Sequence, residues 1–355
     1  MIRGKRANKL RSMDLKDIIR ENALHFLPAK SLLKFQSVCR EWRLQISTPF
    51  FEHNQSLSVR ALQGLFCQRP GAPPMLIPFD PSCCGVPDPS LGFLPEAVDI
   101  RSSSNGLLLC QACSGDRDYY VCNPVTQKFK KLPKPSADHG NDAAIVLIFE
   151  PSLLNFEAEY KIVCAFQSAD FNDATEFDIY SSRDGSWKTS GEICFATSPS
   201  TSMAKQGIYA NGVVYFTAGS GFLSYDVAKD RSQLLKNYYG VCGTLGIVNG
   251  KLCSALLRGS TLTLSLLVNI HSNTMQMNSH SRMWDNQGRI ALGAVLGSDV
   301  QSQSVLVVGD DLVVIQAGER LISYDLNTKV SRELSKPPKG YLTRVVPYVN
   351  SLVSL

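Results

Sequence analysis

The chain has 355 residues, of which 44% are hydrophobic, and a formal net charge of +5 from 36 Lys and Arg against 31 Asp and Glu. That length makes one large domain or two unequal ones, with ample apolar material for a core. The excess charge is local, since Arg3, Lys5, Arg6, Lys9 and Arg11 precede the first acid, Asp14; the near-neutral remainder excludes a uniformly basic face for nucleic acid.

Residues 1–12 read as a basic, solvated, disordered tail, with weak nuclear import or anion binding as the other meaning of such a run. From Leu15 to Ile46 the pattern is helical. "DIIRENALHF" sets Ile19, Ala23 and Phe26 on one face, and Leu27-Pro28 then breaks the chain, so a second helix is expected just after Pro28. Leu32, Phe35, Cys39, Trp42 and Ile46 follow at intervals of three and four, the repeat of one helix face. Thr48-Pro49 is expected to close the helical region. Residues 13–58 thus form a helical unit too small to be comfortably stable alone. Its apolar stripe either folds back on a larger domain or is covered by another protein.

Residues 59–355 read as β structure, opening with "ALQGLFCQ" as a first strand. Positions 70–95 hold eight of the 18 prolines and read as an irregular insertion, a surface loop and a candidate contact site. "DIRSSSNGLLLC" then carries Asn105-Gly106 between two apolar-bearing runs, the strongest short-range hairpin signal. "YYVCNPVTQKFKKLP" follows, a strand, a polar turn and a return strand. The same plan recurs at 176–190, 221–235, 265–279 and 320–334, and a second hairpin phrase occurs at 207–219, 246–257 and 307–318. Paired hairpins at a spacing of roughly 40–60 residues describe four-stranded units stacked radially, about six propeller blades of roughly 45–50 residues. The repeats are degenerate, which leaves a β-sandwich or an irregular β-array open.

Catalytic and metal-binding signals are weak. The 11 cysteines sit in apolar stretches and read as small buried hydrophobes in a reducing compartment, cytosol or nucleus. Cys110-x-x-Cys113 has metal-like spacing, but no second pair or His pair follows at a zinc-site distance, so no metal and no cofactor are expected. The glycines of "GVCGTLG" (240–246) miss every phosphate-binding pattern and read as turn glycines between blades. No histidine is tied to a nucleophile. The N-terminus has charge without an apolar core, and no apolar run approaches the ~20 residues of a membrane span, so neither a secretory signal nor a membrane partner is expected.

Leu27-Pro28, Ser31-Leu32-Leu33, Phe35, Val38-Cys39, Trp42 and Ile46 together resemble an F-box. "SSSNGLLLC", "DYYVCNPVTQKFKKLP" and "EFDIYSSRDGSWK" resemble the F-box-associated, kelch-like β domain of plant F-box proteins. The resemblance implies a helical F-box followed by an all-β propeller-like domain, α+β by segment. It implies a Skp-type adaptor as partner, with a cullin and a RING subunit behind it, and a target protein on the β domain. Leu27, Pro28, Leu32, Phe35, Val38, Cys39, Trp42 and Ile46 would line or support the adaptor face. Trp42 and Phe35 are the expected hot spots, with packing inside the helical unit as the other meaning of Trp42. The first helix departs from the family pattern at Lys16 and Asn22-Ala23, which implies looser docking. Such a receptor acts by proximity and needs no active site. An adaptor-independent scaffold, in which the helices merely cap the β domain, is the alternative.

Overall fold

Three Asn-Gly pairs shape the local architecture. Asn105-Gly106, Asn211-Gly212 and Asn249-Gly250 have positive φ at both residues (43° and 93°, 50° and 85°, 51° and 70°). A two-residue hairpin turn needs that combination, and Asn and Gly tolerate it best. Each pair joins the first two strands of a four-stranded antiparallel unit. The computed structural model describes residues 23–355 except 60, 70, 81–84, 141–142, 152–157, 196–202, 219–220, 237–242, 269–283, 298–302 and 335–343, with the backbone alone at 203–206 and 236.

The strands form a six-bladed propeller. Blade 2 is β3 (Val98–Ser104), β4 (Leu107–Ala112), β5 (Tyr119–Asn123) and β6 (Lys128–Lys131). Blade 3 is β7 (Ala144–Phe149), β8 (Tyr160–Gln167), β9 (Ala174–Ser181) and β10 (Ser186–Phe195). Blade 4 is β11 (Met203–Ala210), β12 (Val213–Ala218), β13 (Gly221–Asp226) and β14 (Arg231–Lys236). Blade 5 is β15 (Thr244–Val248), β16 (Lys251–Arg258), β17 (Thr261–Leu267) and β18 (Trp284–Ala291); blade 6 is β19 (Gln303–Val308), β20 (Leu312–Ala317), β21 (Arg320–Asp325) and β22 (Ser331–Glu333). Blade 1 closes the ring with strands from both ends of the chain: β1 (Gly64–Gln68) lies between β2 (Met75–Pro78) and β23 (Arg344–Tyr348). The register runs from Gly64 opposite Tyr348 to Gln68 opposite Arg344.

The inner strands of blades 3 and 4 pair in parallel at Ile145 and Gln206, whereas β3 meets its neighbours through side chains. Its register shifts between Ile100 and Ser102, a bulge that turns two consecutive residues to one side. Arg101 therefore donates to the Ala143 carbonyl while Ser102 Oγ accepts from Leu147 N at 3.0 Å, both toward blade 3. Alternation then resumes. Ser103 Oγ donates to Pro347 O at 2.7 Å, toward blade 1, and Ser104 Oγ accepts from Phe149 N at 3.0 Å, toward blade 3. The serine run belongs to an inner strand whose hydroxyls act as rungs.

Ahead of the propeller come a 3-10 turn (Leu24–Phe26) and three helices, α1 (Ala29–Phe35), α2 (Arg40–Ile46) and α3 (Pro49–Ser58). Helix α1 starts just after Pro28, as expected. Thr48-Pro49 does not close the helical region; it opens α3, with Thr48 Oγ1 accepting from Phe51 N at 3.2 Å and Pro49 in the first turn. Thr at the N-cap with Pro behind it is a start signal.

The proline-rich stretch 70–95 is not only a surface loop. It contributes β2 and buries Val86, Leu91 and Leu94 in the core that blades 1 and 2 share. Strand β2 is the outer edge of its blade among the described residues. Phe79 N donates inward to Gln63 O at 2.9 Å, so by alternation the amides at 76 and 78 face outward, and proline removes the second. Such an edge resists pairing with another chain. The return strand expected within 265–279 falls mostly outside the described residues; β17 pairs instead with β18 from Trp284. Gly246 lies within β15 rather than in a turn, where a Cβ would fall 2.3 Å from the Val308 Cβ of the next inner strand.

Candidate functional site

The stripe Leu32–Phe35–Cys39–Trp42–Ile46 is not one helix face. The chain turns between Phe35 and Arg40, with Cys39 extended at φ −156° and its Sγ accepting from Trp42 N at 3.4 Å to cap α2. That turn divides the eight expected interface residues. Leu32 and Ile46 are fully buried, at 0% exposure, in one core with Phe66, Tyr348 and Leu352 of the propeller. They present no surface and can only support the face from within. Phe35 and Trp42 are half-buried, stacked edge-to-face at 5.2 Å and packed against the same core. Leu27 and Pro28 are also half-buried, while Cys39 is exposed and Val38 is 62% exposed.

Outward on the same unit stand three further large apolar side chains, Phe26, Leu44 and Phe50, at 62%, 61% and 62% exposure. Leu44 and Phe50 escaped the sequence reading for a geometric reason. Leu44 lies two positions from both Trp42 and Ile46, off the three-four repeat, and Phe50 follows a helix start that read as a stop. Ile19 and the rest of the expected first helix lie outside the described residues; Ala23 and Phe26 are both exposed.

The helical unit is seated firmly. Gln55 of α3, fully buried, accepts from Leu352 N at 3.0 Å. Asn123 Nδ2 donates to Ser351 O at 3.0 Å and Val353 O at 2.8 Å, holding the chain end against blade 2. Lys128 Nζ donates to Ser354 Oγ at 3.0 Å. Burial pushes the Glu52 carboxyl on α3 up to about 7, with the Lys128 charge opposing that rise. These contacts lie at the turns β3–β4 and β5–β6, which define one face of the ring, here the hairpin face.

A cleft of about 610 Å³ opens on that hairpin face between blades 3 and 4, lined by Tyr160, Arg183, Tyr209 and Val227 among others. Arg183 meets Glu159 at 3.2 Å, and Tyr209 O–H donates to Glu150 at 3.0 Å, while Lys161 and Asp184 also line the cleft. Burial, with Glu150 beside it, pushes the Tyr209 phenol up to about 12. Cys110 is buried and Cys113 is exposed beside Asp99. Among the described residues no group of three His, Cys, Asp or Glu side chains could hold a metal.

Comparison with known proteins agrees with this architecture. A family model described as the β-propeller of F-box protein At3g26010-like proteins matches residues 93–242. The F-box protein At5g07610 of Arabidopsis thaliana is 29% identical over 245 residues, 62% of this chain and 56% of the relative. Over these stretches the chain is similar to plant F-box β-propeller proteins. The F-box protein At5g49610 of the same plant is 42% identical over 109 residues, 30% of each chain, and the F-box/kelch-repeat protein At5g43190 is 27% identical over 211 residues, 58% of this chain and 50% of that one. The chain thus spans about half, or less, of the length of these F-box relatives.

Proposed function

We propose that this chain is the substrate-recognition subunit of a Skp–cullin–F-box ubiquitin ligase, non-catalytic itself, with the helical unit binding a Skp-type adaptor and the propeller holding a target protein. The observation that carries the reading is the set Phe26, Val38, Leu44 and Phe50, each more than half exposed on a unit of three short helices. Interface cores are enriched in such side chains and depleted in charge. Leu27, Pro28, Phe35, Cys39 and Trp42 contribute to or brace the same surface, and a cullin and a RING subunit join through the adaptor. The eight unpaired thiols among the described cysteines suit the reducing cytoplasm or nucleus.

The test is co-purification with a Skp-type adaptor and titration of the complex. Val38→Asp and Leu44→Asp, both at exposed positions, are expected to weaken adaptor binding by about tenfold or more each while leaving the melting temperature unchanged. An adaptor complex indifferent to both substitutions would end this reading.

A second reading, the adaptor-independent scaffold, is favoured by one observation: Leu24, Ala29, Leu32, Ile46 and Phe51 share a core with blades 1 and 2. The helices therefore cap the propeller whatever else they bind. Removal of residues 1–59 separates the contributions, and the truncated propeller is expected to lose resistance to proteolysis. A truncated chain as protease-resistant as the full one would show that the helices serve binding alone.

A further inference from the structure

At the far end of blade 3, on the face opposite the helical unit, Phe171 and Phe195 stand together. Phe171 is 46% exposed and Phe195 59% exposed, with ring centroids 5.4 Å apart at 74°. Phe171 belongs to the β8–β9 loop, and Phe195 ends β10, where its neighbour Cys194 pairs with Thr175 and Phe195 itself with Ala174. The loop is held in shape from inside. Ser168 Oγ accepts from Asp170 N at 3.2 Å and from Phe171 N at 3.3 Å, Ser168 N donates to Ala174 O at 2.9 Å, and Gln167 Nε2 donates to Asn172 O at 3.2 Å. A loop fixed this way keeps its aromatic outward without an ordering cost on binding. The β8–β9 loop beside the pair carries charge of one sign: Asp170 and Asp173 are exposed, Glu176 follows, and "SADFNDATE" holds no Lys or Arg.

We infer that this aromatic pair is the seat for the bound target, and that it takes an extended protein segment presenting an apolar side chain flanked by Lys or Arg. The inference rests on the receptor reading above and names the class of target. Three observations favour this place over others. The edge of β2 offers few outward amides, and the cleft between blades 3 and 4 carries charges of both signs and shares a face with the helical unit. Among the described residues, only the aromatic pair combines exposed apolar area, adjacent acidic side chains and a position across the ring from the adaptor surface. The apolar side chain rests on the two rings, and the cations meet Asp170 and Asp173, which steers the encounter and makes it sensitive to salt.

The experiment uses the full chain and two synthetic, fluorescently labelled nonapeptide libraries, one with a central Leu, Phe or Trp between lysines and one with the same centre between glutamates. Adaptor binding is measured on the same preparations. The lysine-flanked library is expected to bind, and Phe171→Ala and Phe195→Ala each to weaken it by about tenfold. The double change Asp170→Asn with Asp173→Asn alters only exposed side chains and is expected to weaken binding a few-fold and flatten its salt dependence. Failure of the lysine-flanked library to bind, equal binding of the glutamate-flanked one, or indifference to the phenylalanine variants would each overturn the proposal. Adaptor binding that persists without peptide binding would sink this site and spare the receptor reading; peptide binding without adaptor binding would do the reverse.

Discussion

The seam between blades 1 and 2 and the seam between blades 2 and 3 share strand β3 and differ in how much polar and charged chemistry they bury. The first is mainly apolar, with Phe66, Ile100, Cys110, Tyr120 and Tyr348 joined by the helical residues Leu32 and Ile46, and the amide of one buried residue, Gln68, bonding β3 at Val98 O and Ile100 N. The second carries fully buried polar groups among its aromatics. There His139 Nε2 meets Asp178 at 3.0 Å, its Nδ1 faces the Tyr119 hydroxyl at 3.2 Å, and Trp187, Phe166 and Tyr119 surround the imidazole. Arg101 is buried in the same wall, bonded to Gln111 at 2.9 Å and to the Ala143 carbonyl. Apolar contact is non-directional and can accept an added element, so the helices dock where the wall is apolar. A buried hydrogen-bonded network is directional, and it ties Ala137, His139 and Ala143 to blades 2 and 3.

The largest effect is expected at the polar seam. Asp178→Ala removes the acceptor of both His139 Nε2 and Ala137 N at 3.3 Å, and breaking a buried pair from one side costs about 3–5 kcal/mol. Burial raises the Asp178 carboxyl, but hydrogen bonds from His139, Thr189 and the Ala137 amide outweigh it and leave the group below its ordinary value. A carboxylate lowered in the fold stabilises fully above its unfolded pKa, about 3.9, and that contribution fades as pH falls further. Urea denaturation should therefore show wild type losing stability more steeply than Asp178→Asn below about pH 4. Parallel pH curves would mean that the pair adds nothing to the seam.

At the apolar seam, Leu32→Ala is expected to cost about 3 kcal/mol, the loss of a buried leucine plus the cavity it leaves. The informative readout is where the loss appears. Leu32 lies on α1, while Trp187 is buried in blade 3. If helices and propeller share one core, a transition followed at Trp187, in a background with Trp42 and Trp284 replaced by Phe, shifts together with one followed by helical circular dichroism. A shift confined to the helices would make the unit a separate module.

The same contrast explains what was legible beforehand. The hairpins at Asn105-Gly106, Asn211-Gly212 and Asn249-Gly250 could be read because their turn chemistry is local. The helical unit could be read through its apolar residues, but which of them face outward could not. Leu32 and Val38 look alike in a list of hydrophobics; a turn at 36–39 sends one to 0% exposure and the other to 62%. Ring closure was hidden because β1 and β23 lie some 280 residues apart, and no local pattern announces a pairing at that distance. The serines of β3 carry no partner in the sequence, because the neighbouring strands supply it. Thr48-Pro49 was legible and misread, since Thr before Pro can end one helix and begin the next.

The smallest effect tests the boundary where the two chemistries meet, at Glu52 beside the β5–β6 turn. Its carboxyl rises from 4.5 to about 7, chiefly through burial, with Lys128 pulling the other way. An acid raised in the fold is penalised when ionised, so the fold is free of the penalty below about pH 4.5, meets it as pH rises, and bears it fully above about 7. Glu52→Gln, neutral at every pH, should match wild type at pH 4.5 and exceed it by about 1 kcal/mol at pH 8, after discounting for solvent at this partly open site. Thermal melts across that range measure the difference directly. A stabilisation independent of pH would point to packing in place of charge, and a destabilisation at pH 8 would show that the Lys128 attraction outweighs burial at this edge of the helical seat.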